Sequence, residues 1–174
     1  KKRADFDPKD RIMRIYFNRQ AETNPKVLEA ITKADKIIFA PGDLYTSVLP
    51  HLLVEGVAEA VRKSKAKVIF VLNLIQKAGE TDNFKASDFI KALVYYLGDA
   101  KRLDYVISNT GKFDTETVKV YEGEGKKEVK LDELVCKKIA PKVKIIKGTF
   151  WEYLKKVHLL RHDPLELALA ILKL

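Results

Sequence analysis

Residues 36–73 read KIIFAPGDLYTSVLPHLLVEGVAEAVRKSKAKVIFVLN, and their reading decides the fold. Two short apolar runs, 36–40 and 67–73, bracket a polar loop and an amphipathic segment at 57–64. The runs are rich in Ile, Val and Phe and do not alternate with polar residues, as expected of strands covered on both faces of a parallel sheet. The intervening length suits a crossover helix between parallel neighbours. Between the first strand and that helix lies APGDLYTS (40–47), which is either a capped turn or a loop built to hold a ligand.

Working outward, the same alternation continues. NPKVLEAITKA predicts a helix with Asn24 as N-cap and Pro25 at the first position. SDFIKALVYYLG (87–98) predicts another, with Ser87 as N-cap and Gly98 as stop. Residues 104–109 and 142–148 read as strands, and 132–139 as a helix. The terminal DPLELALAILKL opens with a capping box of Asp163, Pro164 and Glu166. RIMRIYF (11–17) is expected to be a first strand, and a short helix after Asp43 is expected to stop near Pro50. Residues 121–130 are the expected mobile insertion. The pattern predicts one α/β domain over residues 1–174, a three-layer Rossmann-like fold with a mostly parallel sheet and helices on both faces.

Composition sets the class. The 174 residues are 47% hydrophobic and 33% charged, a globular balance. No run reaches the eighteen apolar residues of a membrane helix, and no signal peptide is visible. A single cysteine, Cys136, fits a reducing, cytoplasmic setting, and one Cys with three scattered His forms no zinc pattern. High Lys and Glu with one Met and one Cys is the composition of proteins from thermophiles. The net charge of +9 raises nucleic acid as a partner. The excess, however, is Lys interleaved with Glu, as in EGEGKKEVKLDE, which reads as a solvated surface.

In parallel α/β sheets ligands bind beyond the carboxyl ends of the strands. Polar residues gather there: Asp43 to Ser47 after the first run, Asn73 to Asp82 after the second, Asn109 to Lys112 after the third. Gly42 frees the backbone, Thr46 and Ser47 add hydroxyls, and a helix start would present N–H groups to a phosphate. Asp43 opposes an anion there unless a metal or a sugar hydroxyl lies beside it. The loop at 73–88 is longer than most βα connections, with Gly79 as a pivot. Its Glu80 and Asp82 are able to bind a hydroxyl, a divalent metal or a proton.

APGDLYTSVLPHLLVEGVAEAV, FVLNLIQKAGETDNFKASDFIKAL and the terminal RHDP together resemble the gluconeogenesis-factor (YvcK) branch of the family that also contains 2-phospho-L-lactate transferase (CofD). That branch reads G-P-G-S-L-Y-T-S-V-x-P-N-L-L and then N-L-M-T-Q-P-G-E-T-D-G-x-x-A-S-D-H. The resemblance runs from about residue 11 to the end. It implies a cytoplasmic homodimer that binds a phosphorylated nucleotide or UDP-sugar and regulates central carbon use and cell-wall or cell-shape processes. Matching positions are Pro41, Gly42, Leu44, Tyr45, Thr46, Ser47, Asn73, Gly79, Glu80, Thr81, Asp82, Ser87 and Asp88. Ala40, Asp43, His51, Ile75 to Ala78, Asn83 and Phe89 depart from the pattern. Gln76, Lys77 and Asn109 join the ligand-binding set, with Lys77 as a replacement cation. The family's opening G-G-G-T-G turn has no counterpart here, so the chain resembles the C-terminal part of a longer CofD-like domain.

Two other functions are open. One is a CofD-type transferase moving a phospholactyl group to a deazaflavin alcohol, with Asp43 or Asp82 as catalytic residues or holding Mg2+. The other is a basic nucleic-acid-associated module. His158, Arg161 and His162 read as residues that dock the last helix rather than as a site. Trp151, Tyr153 and Leu154 read as core or interface, and one of Tyr95 and Tyr96 as a dimer-surface residue.

Overall fold

The computed structural model describes residues 11–115, 117, 118, 121 and 127–174. Residues 122–126 of the expected insertion lie outside that set.

Four strands form one parallel sheet in the order β1 (Lys36–Phe39), β2 (Lys67–Val71), β3 (Tyr105–Asn109) and β4 (Lys144–Gly148). Each strand pairs in parallel with the next, so the order steps in one direction and all four carboxyl ends share one rim. The helices are α1 (Pro25–Lys33), α2 (Pro50–Leu53), α3 (Val57–Lys63), α4 (Ala86–Leu97), α5 (Glu133–Ile139) and α6 (Pro164–Leu172). A hairpin of β5 (Trp151–Leu154) and β6 (Leu159–His162) stands apart from the sheet as an antiparallel pair.

Alternate strand residues serve opposite faces. Val68, Phe70, Val106 and the half-buried Ile145 meet Leu49, Phe89, Ile90, Leu93 and Cys136 in the larger core. Ile69, Val71 and Ile107 face the other way and meet Phe150 and the inner side of α6. Both central strands are thus buried on both faces, which is why they read as continuous apolar runs. Each large side chain buried this way contributes roughly 1.5–3 kcal/mol.

At the amino-end rim, Arg102 ties three elements together. Its Nε donates to Val61 O, Nη2 to Ser64 O and Ala66 O, and Nη1 to Asp104 Oδ2 at 2.8 Å. The same carboxylate oxygen accepts from Val68 N. A guanidinium suits this position because its planar fork satisfies several fixed acceptors at once.

Three local expectations change. Residues 11–17 form no strand, because none of the described strands lies alongside to pair with them. Instead Ile12 and Ile15 pack on the larger core, and Ile15 N donates to Tyr96 Oη at 2.7 Å. The short helix expected after Asp43 forms, but the chain does not leave helical conformation at Pro50. A five-residue π turn, Leu44–Val48, leads into α2, where Pro50 occupies the first turn and its missing N–H costs nothing. Ser87 does not cap α4, whose N-cap is Lys85; the Ser87 hydroxyl donates to Asp132 Oδ2 at 2.6 Å. Elsewhere the caps hold: Asn24 accepts from Lys26 N, and Asp163 accepts from Leu165 N and Glu166 N.

Candidate functional site

The carboxyl-end rim carries the loops the sequence singled out. After β1 the chain turns through Gly42, where an added Cβ would lie 3.2 Å from Ser47 Cβ, so glycine permits the tight approach. Leu44 and Tyr45 plunge into the core, while Thr46 and Ser47 remain exposed. The Tyr45 ring stands edge-on to Phe84 at 6.4 Å, which packs the first loop against the second. Burial raises the Tyr45 hydroxyl's pKa, with the neighbouring Tyr96 adding to the effect. The Tyr45 hydroxyl therefore keeps its proton at neutral pH, and the buried ring serves as an anchor.

Asn73 locks the two loops directly: its Nδ2 donates to Gly42 O at 3.0 Å. Lys77 from the second loop reaches Asp43 at 3.2 Å. The departure that placed an anion at residue 43 thus comes with the departure that placed a cation at residue 77. Both side chains are more than a third exposed, so the pair contributes at most about 1 kcal/mol. Its larger effect is on charge, since Asp43 is offset before any anion arrives.

The second loop is held by its own polar residues. Gln76 N donates to Lys127 O, Gln76 Nε2 to Phe84 O, and Gln76 Oε1 accepts from Asn83 N. Thr81 Oγ1 accepts from Lys77 N at 2.8 Å, and Asp82 Oδ2 accepts from Gly79 N at 2.6 Å. Gly79 adopts φ +78°, a left-handed conformation that a side chain would strain. Glu80 and Thr81 are buried. Asn109 is also committed: Nδ2 donates to Gly111 O, and Oδ1 accepts from Phe150 N. Of the proposed ligand-binding residues, Gln76, Thr81, Asp82, Ser87 and Asn109 therefore shape the rim through protein contacts, and Leu44 and Tyr45 anchor it.

What the structure brings together is a cleft of about 220 Å³ lined by Gly42, Asp43, Asn73, Ile75, Arg161 and His162. Arg161 and His162 come from β6, an element the sequence reading did not identify. Their signal was present in the RHDP tetrapeptide. The alternation in WEYL was a visible strand pattern, but the irregular turn between the short strands hid the hairpin. Arg161 Nε donates to Glu152 Oε1 at 2.7 Å, and the guanidinium carries four further N–H donors. His162 Nε2 lies 3.1 Å from Leu72 O, and since a carbonyl only accepts, Nε2 carries the proton. Burial holds the His162 pKa below its ordinary value, with the Leu72 carbonyl opposing in part, so the ring is neutral at pH 7.

A second cavity of about 740 Å³ adjoins the cleft, because Ile75 and Leu160 border both. Its walls include Phe84, Phe113 and Tyr121, with Lys85, Lys127 and Lys130 beside them. The Mg2+ reading does not fit these residues. Asp43 pairs with Lys77 and Asp82 holds Gly79, and no three His, Cys, Asp or Glu side chains gather among the described residues.

The family described as 2-phospho-L-lactate transferase CofD matches residues 4–151. The gluconeogenesis factor of Halalkalibacterium halodurans is 35% identical over 167 residues, covering 94% of this chain and 49% of that one. The gluconeogenesis factor of Bacillus subtilis is 32% identical over 165 residues, covering 94% and 50%. A crystal structure from Bacillus halodurans superposes with a TM-score of 0.87 at 33% identity, covering 95% of this chain and 52% of that one. The match spans from 31% to 50% of the length of the curated relatives. On the breadth of that match, the chain belongs to the 2-phospho-L-lactate transferase CofD family.

Proposed function

We propose that the protein is a gluconeogenesis factor of the CofD family that binds a phosphorylated nucleotide or UDP-sugar in the rim cleft and acts as a regulator of central carbon use. The observation that carries this reading is the convergence of Asn73, Arg161 and His162 on one cleft at the carboxyl ends of parallel strands. Arg161 supplies a planar donor set suited to a phosphate. His162 contributes a neutral ring that does not add repulsion or attraction of its own. The adjoining larger cavity gives a base room against Phe84, Phe113 and Tyr121, with lysines close to its opening. Asp43, already offset by Lys77, is a partner for a sugar hydroxyl.

The regulator reading is favoured over the transferase because Asp43 and Asp82 are both engaged in protein contacts. The basic-module reading is disfavoured because exposed lysines pair with glutamates one helical turn away, as in Lys33–Glu29, Lys63–Glu59 and Lys137–Glu133. A thermal-shift panel of nucleoside mono- and diphosphates, UDP-sugars and inorganic phosphate tests the proposal. A ligand at about 100 times its dissociation constant stabilises by roughly 2.7 kcal/mol. A rise in melting temperature specific to diphosphate nucleotides or UDP-sugars is expected, and no rise with any phosphate at millimolar concentration would defeat it.

A further inference from the structure

The hairpin of β5 and β6 carries Arg161 and His162 to the rim cleft, yet it takes no part in the main sheet. A two-stranded hairpin is marginal by itself, so its position depends on what its faces rest against. The register pairs Trp151 with His162 and Tyr153 with Leu160, which puts these four residues on one face. On that face Leu160 packs with Leu74 and Tyr121, and Ile75, Phe113, Trp151 and Tyr153 close around them. Arg161 and its partner Glu152 lie on the other face.

β6 is anchored on both sides of Arg161. After it, His162 Nε2 donates to Leu72 O at 3.1 Å. Before it, Leu160 N donates to Tyr121 Oη at 2.8 Å, across 39 residues of chain. Both residues of this second bond are buried, and the bond lies outside the hairpin's own ladder. A buried N–H needs a partner, so the Tyr121 hydroxyl fixes the backbone of β6 directly. Tyr121 is not a wall of the rim cleft. It is a wall of the cavity of about 740 Å³, together with Ile75, Phe113 and Leu160. Leu160, the residue it holds, borders both spaces.

We propose that Tyr121 is a positioning residue that couples the two spaces: by holding the Leu160 N–H it seats β6 and aims Arg161, so that filling the larger cavity tightens anion binding in the cleft. The proposal rests on the reading of Arg161 as a phosphate ligand. Its physical basis is a hairpin with a seated and a looser position. A group lying against Phe113, Tyr121 and Leu160 buries more apolar surface when the hairpin is seated, and so favours that position. An anion on Arg161 favours it too, because the guanidinium is then already in place. Two ligands that favour the same state strengthen one another by the same factor.

Hydrogen exchange and calorimetry test this, with inorganic pyrophosphate as the probe of the cleft and uridine, a base without phosphate, as the probe of the cavity. Tyr121→Phe keeps the ring and removes the hydroxyl. Without any ligand it should speed exchange at Leu160 by at least about tenfold and leave α4 unchanged. It should weaken pyrophosphate binding about fivefold, and have no effect in an Arg161→Gln background, where the contact it aims is gone. Saturating uridine should tighten pyrophosphate binding about fivefold in the wild type and not in Tyr121→Phe. Pyrophosphate affinity that either Tyr121→Phe or uridine leaves unmoved would overturn the coupling while the phosphate reading of the cleft stands. An equal loss in the Arg161→Gln background would overturn it as well, since Tyr121 would then support the fold at large. No pyrophosphate binding by the wild type would instead remove the phosphate reading of the cleft, and the coupling with it.

Discussion

Asp82 gives the sharpest contrast between two accounts of the second loop. As a ligand or catalytic carboxylate it would be dispensable for stability. In the structure its Oδ2 accepts a 2.6 Å hydrogen bond from the N–H of Gly79, which sits in the left-handed conformation. A hydrogen bond to a charged group contributes about 1.5–3 kcal/mol, and the partial exposure of Asp82 sets the expectation for Asp82→Ala at about 1–2 kcal/mol. For a chain of this length that is a fall in melting temperature of roughly 2–8 °C. Asp82→Asn keeps an acceptor of the same shape and should lose less than half as much. Thermal or urea unfolding of the three proteins checks this. If Asp82→Ala unfolds with the wild type, the bond does not hold the loop, and the ligand account of Asp82 regains its place.

Three more expectations follow from particular contacts. Arg102→Ala removes the fork that links Val61, Ser64, Ala66 and Asp104, and should cost about 3–5 kcal/mol in denaturant unfolding; a loss under about 1 kcal/mol would show that the staple is ornamental. His162 has a folded pKa below its ordinary 6.5, so the unfolded chain binds the proton more tightly. Stability is therefore full above pH 6.5 and falls as the pH drops below it, and the slope of melting temperature with pH in that window should flatten in His162→Gln. Burial, with Asp132 beside it, pushes the Cys136 thiol up to about 12, so about one thiol in ten thousand is ionised at pH 8. An aromatic disulfide reagent should leave the native protein unlabelled and react fully in denaturant; rapid native labelling would show that α5 opens.

The sheet was legible because its strands announce themselves. KIIF, KVIFV and YVISN are short, rich in β-branched residues and bounded by polar loops, and the two central ones are buried on both faces. Runs that short and that apolar fit a strand inside a sheet better than a helix. Helix starts were legible where a side chain reaches a backbone N–H, as at Asn24 and Asp163. Residues 11–17, RIMRIYF, misled because a largely apolar run with two isoleucines favours extended backbone, whereas a strand also needs a neighbour. Ser87 misled because a serine before an apolar run can hydrogen-bond elsewhere, here to a carboxylate 45 residues away. At the rim, sequence showed which loops gather but not which polar groups are already spent. Gln76, Thr81, Asp82 and Asn109 all look like ligand contacts in one dimension, and each is bonded to backbone in three. Arg161 and His162 escaped for the opposite reason, since their partners on the cleft lie far back in the chain; the Leu72 carbonyl that orients His162 is 90 residues earlier.

The central claim is that Arg161 and the Asn73-locked loops form an anion-binding cleft. Isothermal titration with a UDP-sugar tests it most directly, comparing the wild type with Arg161→Gln and with an exposed control, Lys33→Gln. The account predicts saturable binding that weakens about 10- to 150-fold in Arg161→Gln, the loss of one charge-assisted contact of about 1.5–3 kcal/mol, and is unchanged in the control. Binding of equal strength in all three would place the ligand elsewhere on the chain and contradict the account.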